Sequence, residues 1–224
     1  MSRQLLTHWL GRISYSEGLD LQETLVSKKV NGEIQDHLLL LEHEPVYTMG
    51  RSRDDSSLGV EINLPHPVHR TNRGGQATYH GPGQLVAYPI LDLNRRGRDL
   101  HKYLRFLEEV IIGVLAEYSV TGTRREGLTG VWVEDRKIAS IGVGVRRWIS
   151  MHGFALNVAR ELPGFDSITP CGIQGVTMTS LTAECSRELD IESVAAITET
   201  VFLRVLVTLP AGCCLLYTSD AADE

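Results

Sequence analysis

Long apolar runs and an excess of basic charge are both missing from this 224-residue chain. No stretch approaches the roughly 18 to 20 apolar residues that span a bilayer, so we expect no integral membrane segment. The first residues lack the apolar run and small-residue cleavage site of a signal peptide, which favours a cytoplasmic location. The formal net charge of −6 argues against unspecific binding to nucleic acid. We expect a monomer with no membrane and no nucleic-acid partner.

Cysteine is scarce, with four residues at positions 171, 185, 213 and 214. Their spacing fits neither a Cys-x-x-Cys metal site nor a disulfide framework, so we expect no metal and a reducing compartment. The glycine patterns that bind nucleotides are also missing, both Gly-x-x-x-x-Gly-Lys-Ser/Thr and a Gly-x-Gly-x-x-Gly after a strand. In such a chain, a lone cysteine in a glycine-rich neighbourhood becomes a candidate nucleophile.

What is present predicts a mixed α/β single domain over residues 1–209. Helical periodicity covers residues 15–30, 100–118 after a capping Asp99, and 192–209. Short apolar runs predict strands at 37–43, 85–88, 131–133, 137–143 and 153–158, the third and fourth forming a hairpin. Residues 210–224 continue no element and their last ten resemble translated adapter or vector sequence, so we expect a non-native or disordered tail.

Cys171 lies in a loop, between Pro170 and Gly172. It is either a nucleophile or a buried structural cysteine, since free cysteine is often buried. A nucleophilic thiol needs a nearby cation or base. Lys137 opens an apolar strand, where lysine is unusual, but a hairpin-edge lysine would look the same. His80 and His152 lie in glycine-containing segments and are equally open candidates.

Residues 72–89 are the most distinctive segment, with four glycines and Pro82 among polar groups before a strand-like end. Closely spaced backbone N–H groups at Arg73-Gly74-Gly75 either bind an oxyanion or form a tight turn. A basic cluster at 95–98, with Lys102 and Arg105 beyond it, is either a docking site for an acidic partner or a solvated surface.

Four segments in order resemble the lipoyl(octanoyl) transferase family: 73–84, 137–143, 152–157 and 170–173. The resemblance covers most of residues 5–185. It implies the fold of biotin and lipoate protein ligases, a mixed sheet flanked by helices. It also implies that Cys171 is the acyl-accepting nucleophile and that Lys137 is its general acid/base partner.

The resemblance further implies which residues form the walls of the acyl and thioester site. These are Arg73, Gly74, Gly75, Gln76, Ala77, Thr78, Tyr79, His80, Ser140, Ile141, Gly142, Gly153, Phe154 and Ala155, with His152 and Asn157 in support. No ATP and no metal are implied.

The implied reaction moves an octanoyl group from octanoyl-acyl carrier protein to Cys171 and then to a lysine of a lipoyl domain. The acceptors are lipoyl domains of 2-oxoacid dehydrogenases and the glycine cleavage H protein. The alternatives are an ATP-dependent lipoate or biotin protein ligase on the same fold, and a non-catalytic protein that binds lipoyl domains or acyl chains.

Overall fold

The computed structural model describes residues 5–52, 56–58 and 64–209; the predicted tail at 210–224 lies outside them. Ten strands are described, as follows: β1 Leu6–Ile13, β2 His37–His43, β3 Val46–Met49, β4 Val68–Arg70, β5 Thr78–His80, β6 Gln84–Ile90, β7 Val131–Val133, β8 Arg136–Arg146, β9 Ile149–Asn157 and β10 Thr177–Met178. The helices are α1 Tyr15–Val30, α2 Leu100–Glu117, α3 Leu181–Cys185 and α4 Ile191–Leu206.

The main sheet is mixed, in the order β1-β2-β6-β9-β8-β10, and β7 also pairs with β8. β1 runs parallel to β2 and β10 parallel to β8, whereas the central pairs are antiparallel. A smaller sheet, β4-β3-β5, lies beside it. The predicted fold class, a mixed sheet flanked by helices, is therefore confirmed.

The leucine run of β2 is buried because the strand is covered on both faces. Leu38 and Leu40 belong to the core that includes α2 and α4, whereas Leu39 and Leu41 pack with residues of α1. Alternate residues of a strand point to opposite faces, so a continuous apolar run marks a strand at the centre of a layered fold.

The predicted helices are confirmed to within a few residues at their ends. The α1 helix begins after a capping box of Ser14 and Glu17, and the Asp99 side chain accepts the Lys102 N–H at the start of α2. The strand predicted at 153–158 begins earlier, at Ile149.

Six elements are missing from the prediction: β1, β3, β4, β5, β10 and α3. The strand predicted at 37–43 ends at His43 as expected, but a further strand, β3, begins directly after Glu44-Pro45. Within β1, Gly11 has φ +63° and the pairing register shifts between Trp9 and Arg12. This irregularity interrupts the alternation of side chains by which a strand is predicted.

A substitution at Gly153 tests how closely β9 packs against β6. A Cβ atom at Gly153 would lie 2.2 Å from the Ala87 carbonyl oxygen and 2.7 Å from Pro89 Cδ. Because neither neighbour is a flexible side chain, Gly153→Ala should lower the free energy of unfolding by about 1–3 kcal/mol. Urea denaturation measures this value. Gly74→Ala is the control, since its Cβ would meet only the Val143 carbonyl oxygen at 3.7 Å; equal losses in both variants would contradict the packing argument.

Candidate active site

Cys171 is held in a strained turn. The turn spans Pro170–Gly172, and Cys171 itself has φ 55° and ψ 19°, a left-handed conformation that costs a non-glycine residue roughly 1–2 kcal/mol. Its N–H donates to the Ala77 carbonyl oxygen at 2.8 Å, which ties the turn to the start of β5. Gly172 follows with φ +69°, and a Cβ there would lie 1.6 Å from Gln76 Oε1. The positive φ therefore favours glycine at 172, and a larger residue there would also displace the Gln76 side chain.

Lys137 is fully buried on β8, and its ammonium faces the thiol. The Nζ atom lies 3.2 Å from Cys171 Sγ and 5.2 Å from the ring centre of Trp132. The other close polar group is Ser140, whose Oγ is 3.8 Å from the sulfur. The structure therefore brings together the two residues that the resemblance implied as a catalytic pair.

A cavity of about 190 Å³ opens beside Cys171. For comparison, an engineered apolar cavity of about 150 Å³ holds benzene. The apolar side chains in its wall are Val86, Tyr88, Leu128, Ile141, Phe154, Ala155 and Ile173. A thiol at the edge of such a cavity can carry a short apolar acyl chain that lies inside it.

Most of the predicted wall residues line this cavity, namely Arg73, Gly75, Gln76, Thr78, His80, Ser140, Ile141, Gly142, Gly153, Phe154, Ala155 and the supporting His152. Gly74, Ala77 and Tyr79 do not line it. Ala77 supplies the carbonyl that holds Cys171, and Tyr79 packs against Tyr47 and Phe165.

Asn157 lies outside the cavity. Its side chain accepts from Gln84 Nε2 at 3.0 Å and donates to the Thr179 carbonyl oxygen at 2.9 Å, which ties β6 to the chain after β10. It also lines a separate groove of about 660 Å³. Its contacts are therefore those of a structural tie.

Sequence reasoning missed several wall residues: Tyr15, Val86, Tyr88, Gly127, Leu128, Thr129 and Ile173. Those at 127–129 belong to the segment between α2 and β7, in which three glycines, at 122, 127 and 130, were the available signal.

Neither candidate histidine hydrogen-bonds to the thiol in the described part of the chain. His80 Nδ1 lies 2.8 Å from Gln84 Oε1, and His152 Nε2 lies 2.6 Å from Asn72 Oδ1. Burial, together with the nearby cation Arg73, lowers the pKa of each to about 3. Both rings are therefore neutral near neutral pH, and among the described residues Lys137 is the base or cation that hydrogen-bonds to the sulfur.

Arg73 is a buried cation held by oxygen atoms of the loop and of β3. Its Nη2 donates to Thr48 O at 2.7 Å, Thr48 Oγ1 at 2.8 Å and Gln76 O at 3.0 Å. Burial lowers the pKa of Arg73, and the nearby Cys171 opposes this shift. Gly142 lets the side chain lie against β8, because a Cβ there would be 2.9 Å from Arg73 Cδ. Arg73 thus fixes the wall of the cavity.

The backbone N–H groups of 73–75 are only partly available to an oxyanion. Gly74 N–H already donates to the Val143 carbonyl oxygen at 2.8 Å, which attaches the loop to β8. Gly75 lines the cavity. Among the backbone N–H groups considered for binding an oxyanion, that of Gly74 therefore has a structural role.

A family model described as the lipoyl protein ligase A/B catalytic domain matches residues 14–203. The chain belongs to this family. The predicted resemblance is thereby confirmed, and the matched range includes both Lys137 and Cys171.

Curated relatives of this ligase A/B family member are octanoyltransferases. The protein from Geobacter metallireducens is 51% identical over 188 residues, which cover 83% of this chain and 85% of the relative. The protein from Syntrophotalea carbinolica is 56% identical over 172 residues, covering 77% and 80%.

Solved structures with the same fold include a ligase. The bi-partite lipoate protein ligase from Thermoplasma acidophilum has a TM-score of 0.68 at 15% identity, covering 92% of this chain and 84% of that one. At that identity the likeness shows the fold alone.

The basic cluster of this family member is largely neutralised by its own acids. Three ion pairs join Arg95 to Asp92 at 2.9 Å, Arg96 to Asp36 at 3.4 Å and Lys102 to Asp99 at 3.7 Å. Its use for docking an acidic partner stays a hypothesis, with no added support from these contacts.

Within the described ranges, no helix has the length and apolar character needed to cross a membrane. The same residues contain no group of three or more His, Cys, Asp or Glu side chains arranged to hold a metal ion.

Three buried histidines predict a loss of stability in acid. Burial lowers the pKa of His43 to about 4, and those of His80 and His152 to about 3, from about 6.5 in the unfolded chain. Because the unfolded state then binds more protons, their contribution is fully present above about pH 6.5 and is lost as the pH falls toward 4. Each histidine adds up to about 1.4 kcal/mol per pH unit to this slope.

Urea unfolding across this pH range tests the prediction. His152→Asn should reduce the slope by about one proton, since asparagine tolerates the left-handed backbone that His152 adopts at φ 57°. His101→Asn, at an exposed position on α2, is the control and should leave the slope unchanged. An unchanged slope in His152→Asn would show that this ring is protonated in the folded protein.

Proposed function

We propose that this chain is an octanoyltransferase that attaches octanoyl groups to lysines of lipoyl domains, with Cys171 carrying the group as a thioester. The observation that carries the proposal is the buried Lys137 ammonium 3.2 Å from the Cys171 sulfur, at the edge of an apolar cavity. The two octanoyltransferase relatives above, each more than 50% identical, support the reaction class.

The first step exchanges one thioester for another. The Cys171 sulfur attacks the octanoyl carbonyl of the donor, which we propose is octanoyl-acyl carrier protein, and the donor's carbon–sulfur bond breaks. The donor leaves as a thiolate, which takes up the proton of the Lys137 ammonium and leaves Lys137 as a neutral amine. Lys137, as an ammonium, stabilises the attacking thiolate by charge and hydrogen bonding. The octanoyl chain then lies in the cavity lined by Val86, Leu128 and Ile173.

The second step forms an amide. The amine of a lysine on a lipoyl domain attacks the thioester carbonyl, the bond to Cys171 breaks, and the sulfur leaves as a thiolate. Lys137, now a neutral amine, accepts the proton that the incoming amine loses. The thioester already carries the energy needed to form the amide, so the proposed cycle needs neither ATP nor a metal. The proposed acceptors are lipoyl domains of 2-oxoacid dehydrogenases and the glycine cleavage H protein.

Two alternatives lack a comparable observation. An ATP-dependent ligase on this fold would activate a free acid and would have no use for a lysine–cysteine contact. A non-catalytic lipoyl-domain or acyl-chain binder would have no reason to bury a lysine against a thiol, because an isolated buried ammonium is destabilising.

Intact-mass measurement tests the proposal. The protein is incubated with octanoyl-acyl carrier protein without ATP, and one octanoyl adduct should form and then move to an added apo lipoyl domain. Cys171→Ser should form no adduct, whereas Cys185→Ser, at the other free cysteine of the described chain, should react like the wild type. Lys137→Met should slow adduct formation by about 10²–10⁴-fold.

An adduct that persists in Cys171→Ser, or one that appears only when ATP is present, would overturn the thioester route.

A further inference from the structure

Glu108 is a buried carboxylate that the proposed reaction does not use. It lies on α2 with its side chain 1% exposed, beside the apolar face formed by residues such as Leu107 and Ile111. Burying a carboxylate is costly unless charged or hydrogen-bonded partners compensate for the lost water. We therefore expect the Glu108 carboxylate to have charged or hydrogen-bonded partners that stabilise it.

The carboxylate joins α2 to both ends of the segment 124–130. Oε2 accepts from Arg124 Nε at 3.1 Å and from Arg105 Nη1 at 2.6 Å. Oε1 accepts the backbone N–H of Gly130 at 3.3 Å. One side chain thus fixes the beginning and the end of a loop that has no regular structure of its own.

The end of this loop packs against the Lys137 side chain. Gly130 has φ +135°, and a Cβ atom there would lie 2.9 Å from Lys137 Cε and 2.7 Å from the Ala139 carbonyl oxygen. The same Cβ would be 3.4 Å from the Trp132 ring, whose centre lies 5.2 Å from Lys137 Nζ. The Gly130 backbone is therefore one of the surfaces that determine where the ammonium points.

The middle of the same loop forms part of the cavity wall. Gly127, Leu128 and Thr129 all line the cavity beside Cys171. A displacement of the loop would consequently change the ammonium's surroundings and the acyl site together.

We propose that Glu108 is a positioning residue, which holds Gly130 against Lys137 so that the ammonium stays aimed at the Cys171 sulfur. This inference rests on the proposed function, because it assigns Lys137 its role at the thiol. Glu108 itself touches neither the sulfur nor the cavity.

The adjacent Glu109 offers a matched control. It pairs with the same Arg124 at 2.5 Å, but its side chain is 53% exposed, and the Gly130 N–H donates to Glu108 instead. Glu109→Gln therefore removes one carboxylate next to Arg124 and leaves the Glu108–Gly130 hydrogen bond in place.

Glu108→Gln is the main variant. A glutamine has one acceptor oxygen and one donor NH₂, so it cannot accept from both arginines and from Gly130 at once. The single-turnover rate of octanoyl adduct formation should fall about tenfold to a hundredfold, as expected for a small misplacement of a catalytic group. In Glu109→Gln it should stay within about twofold, as expected of an exposed pair.

Alkylation of Cys171 by iodoacetamide at neutral pH distinguishes a displaced Lys137 ammonium from a loop that has merely become more flexible. A misaimed ammonium should slow alkylation in Glu108→Gln, whereas a merely loosened loop would expose the thiol and speed it. In a Lys137→Met background, replacing Glu108 should cause no further slowing, because Glu108 acts through Lys137. Faster or unchanged alkylation, or additive losses in the double variant, would overturn the proposal.

Glu108→Asp keeps the inference testable if the glutamine variant does not fold. It preserves the buried charge but falls one methylene short of the Gly130 N–H, so alkylation should still slow; a wild-type rate would overturn the proposal. If the wild type forms no octanoyl adduct, the proposed function fails, while the alkylation comparison still decides whether Glu108 positions Lys137.

Discussion

The contact between the buried Lys137 ammonium and the Cys171 sulfur is the interaction on which the rest of the site depends. An ammonium inside a protein loses the water that stabilises it, so its neighbours must compensate. Here the neighbours are the sulfur at 3.2 Å and the face of Trp132 at 5.2 Å. The two residues are 34 positions apart, and β8 and the Pro170–Gly172 turn are placed so that their side chains meet.

Close packing around this contact explains the unusual backbone. Cys171 has a left-handed conformation and is held by the Ala77 carbonyl, while Gly172 leaves room for the Gln76 side chain. Gly130 allows the loop backbone to approach Lys137. In each case, strain or a missing side chain fixes the position of Cys171 or Lys137, as expected of a preorganised site.

The sequence predicted the elements whose signal is local and long. Helices α1, α2 and α4 carry apolar periodicity or caps, and β2 and β8 are clear apolar runs. The short strands β3, β4 and β5 have three or four residues each and were missed, because they lie among glycines, prolines and polar residues. Their pairing depends on tertiary contacts that no local pattern records.

The residues of the site could be predicted only where the order of the sequence motifs indicated a family resemblance. Spacing alone could not choose between Lys137, His80 and His152; the resemblance favoured Lys137, and the structure places it against the thiol. Leu128 and Tyr15 were missed because the cavity is assembled from distant segments. Glu108 follows Leu107 on an amphipathic helix, and its burial depends on Arg124 and Gly130, which helix periodicity cannot reveal.

A crystal structure of the protein after reaction with an octanoyl thioester tests the central claim most directly. The account predicts density continuous from Cys171 Sγ into the cavity lined by Val86, Leu128 and Ile173, with Lys137 Nζ still beside the sulfur. An octanoyl chain bonded to another residue, or lying instead in the groove beside Phe165 and Met178, would contradict it.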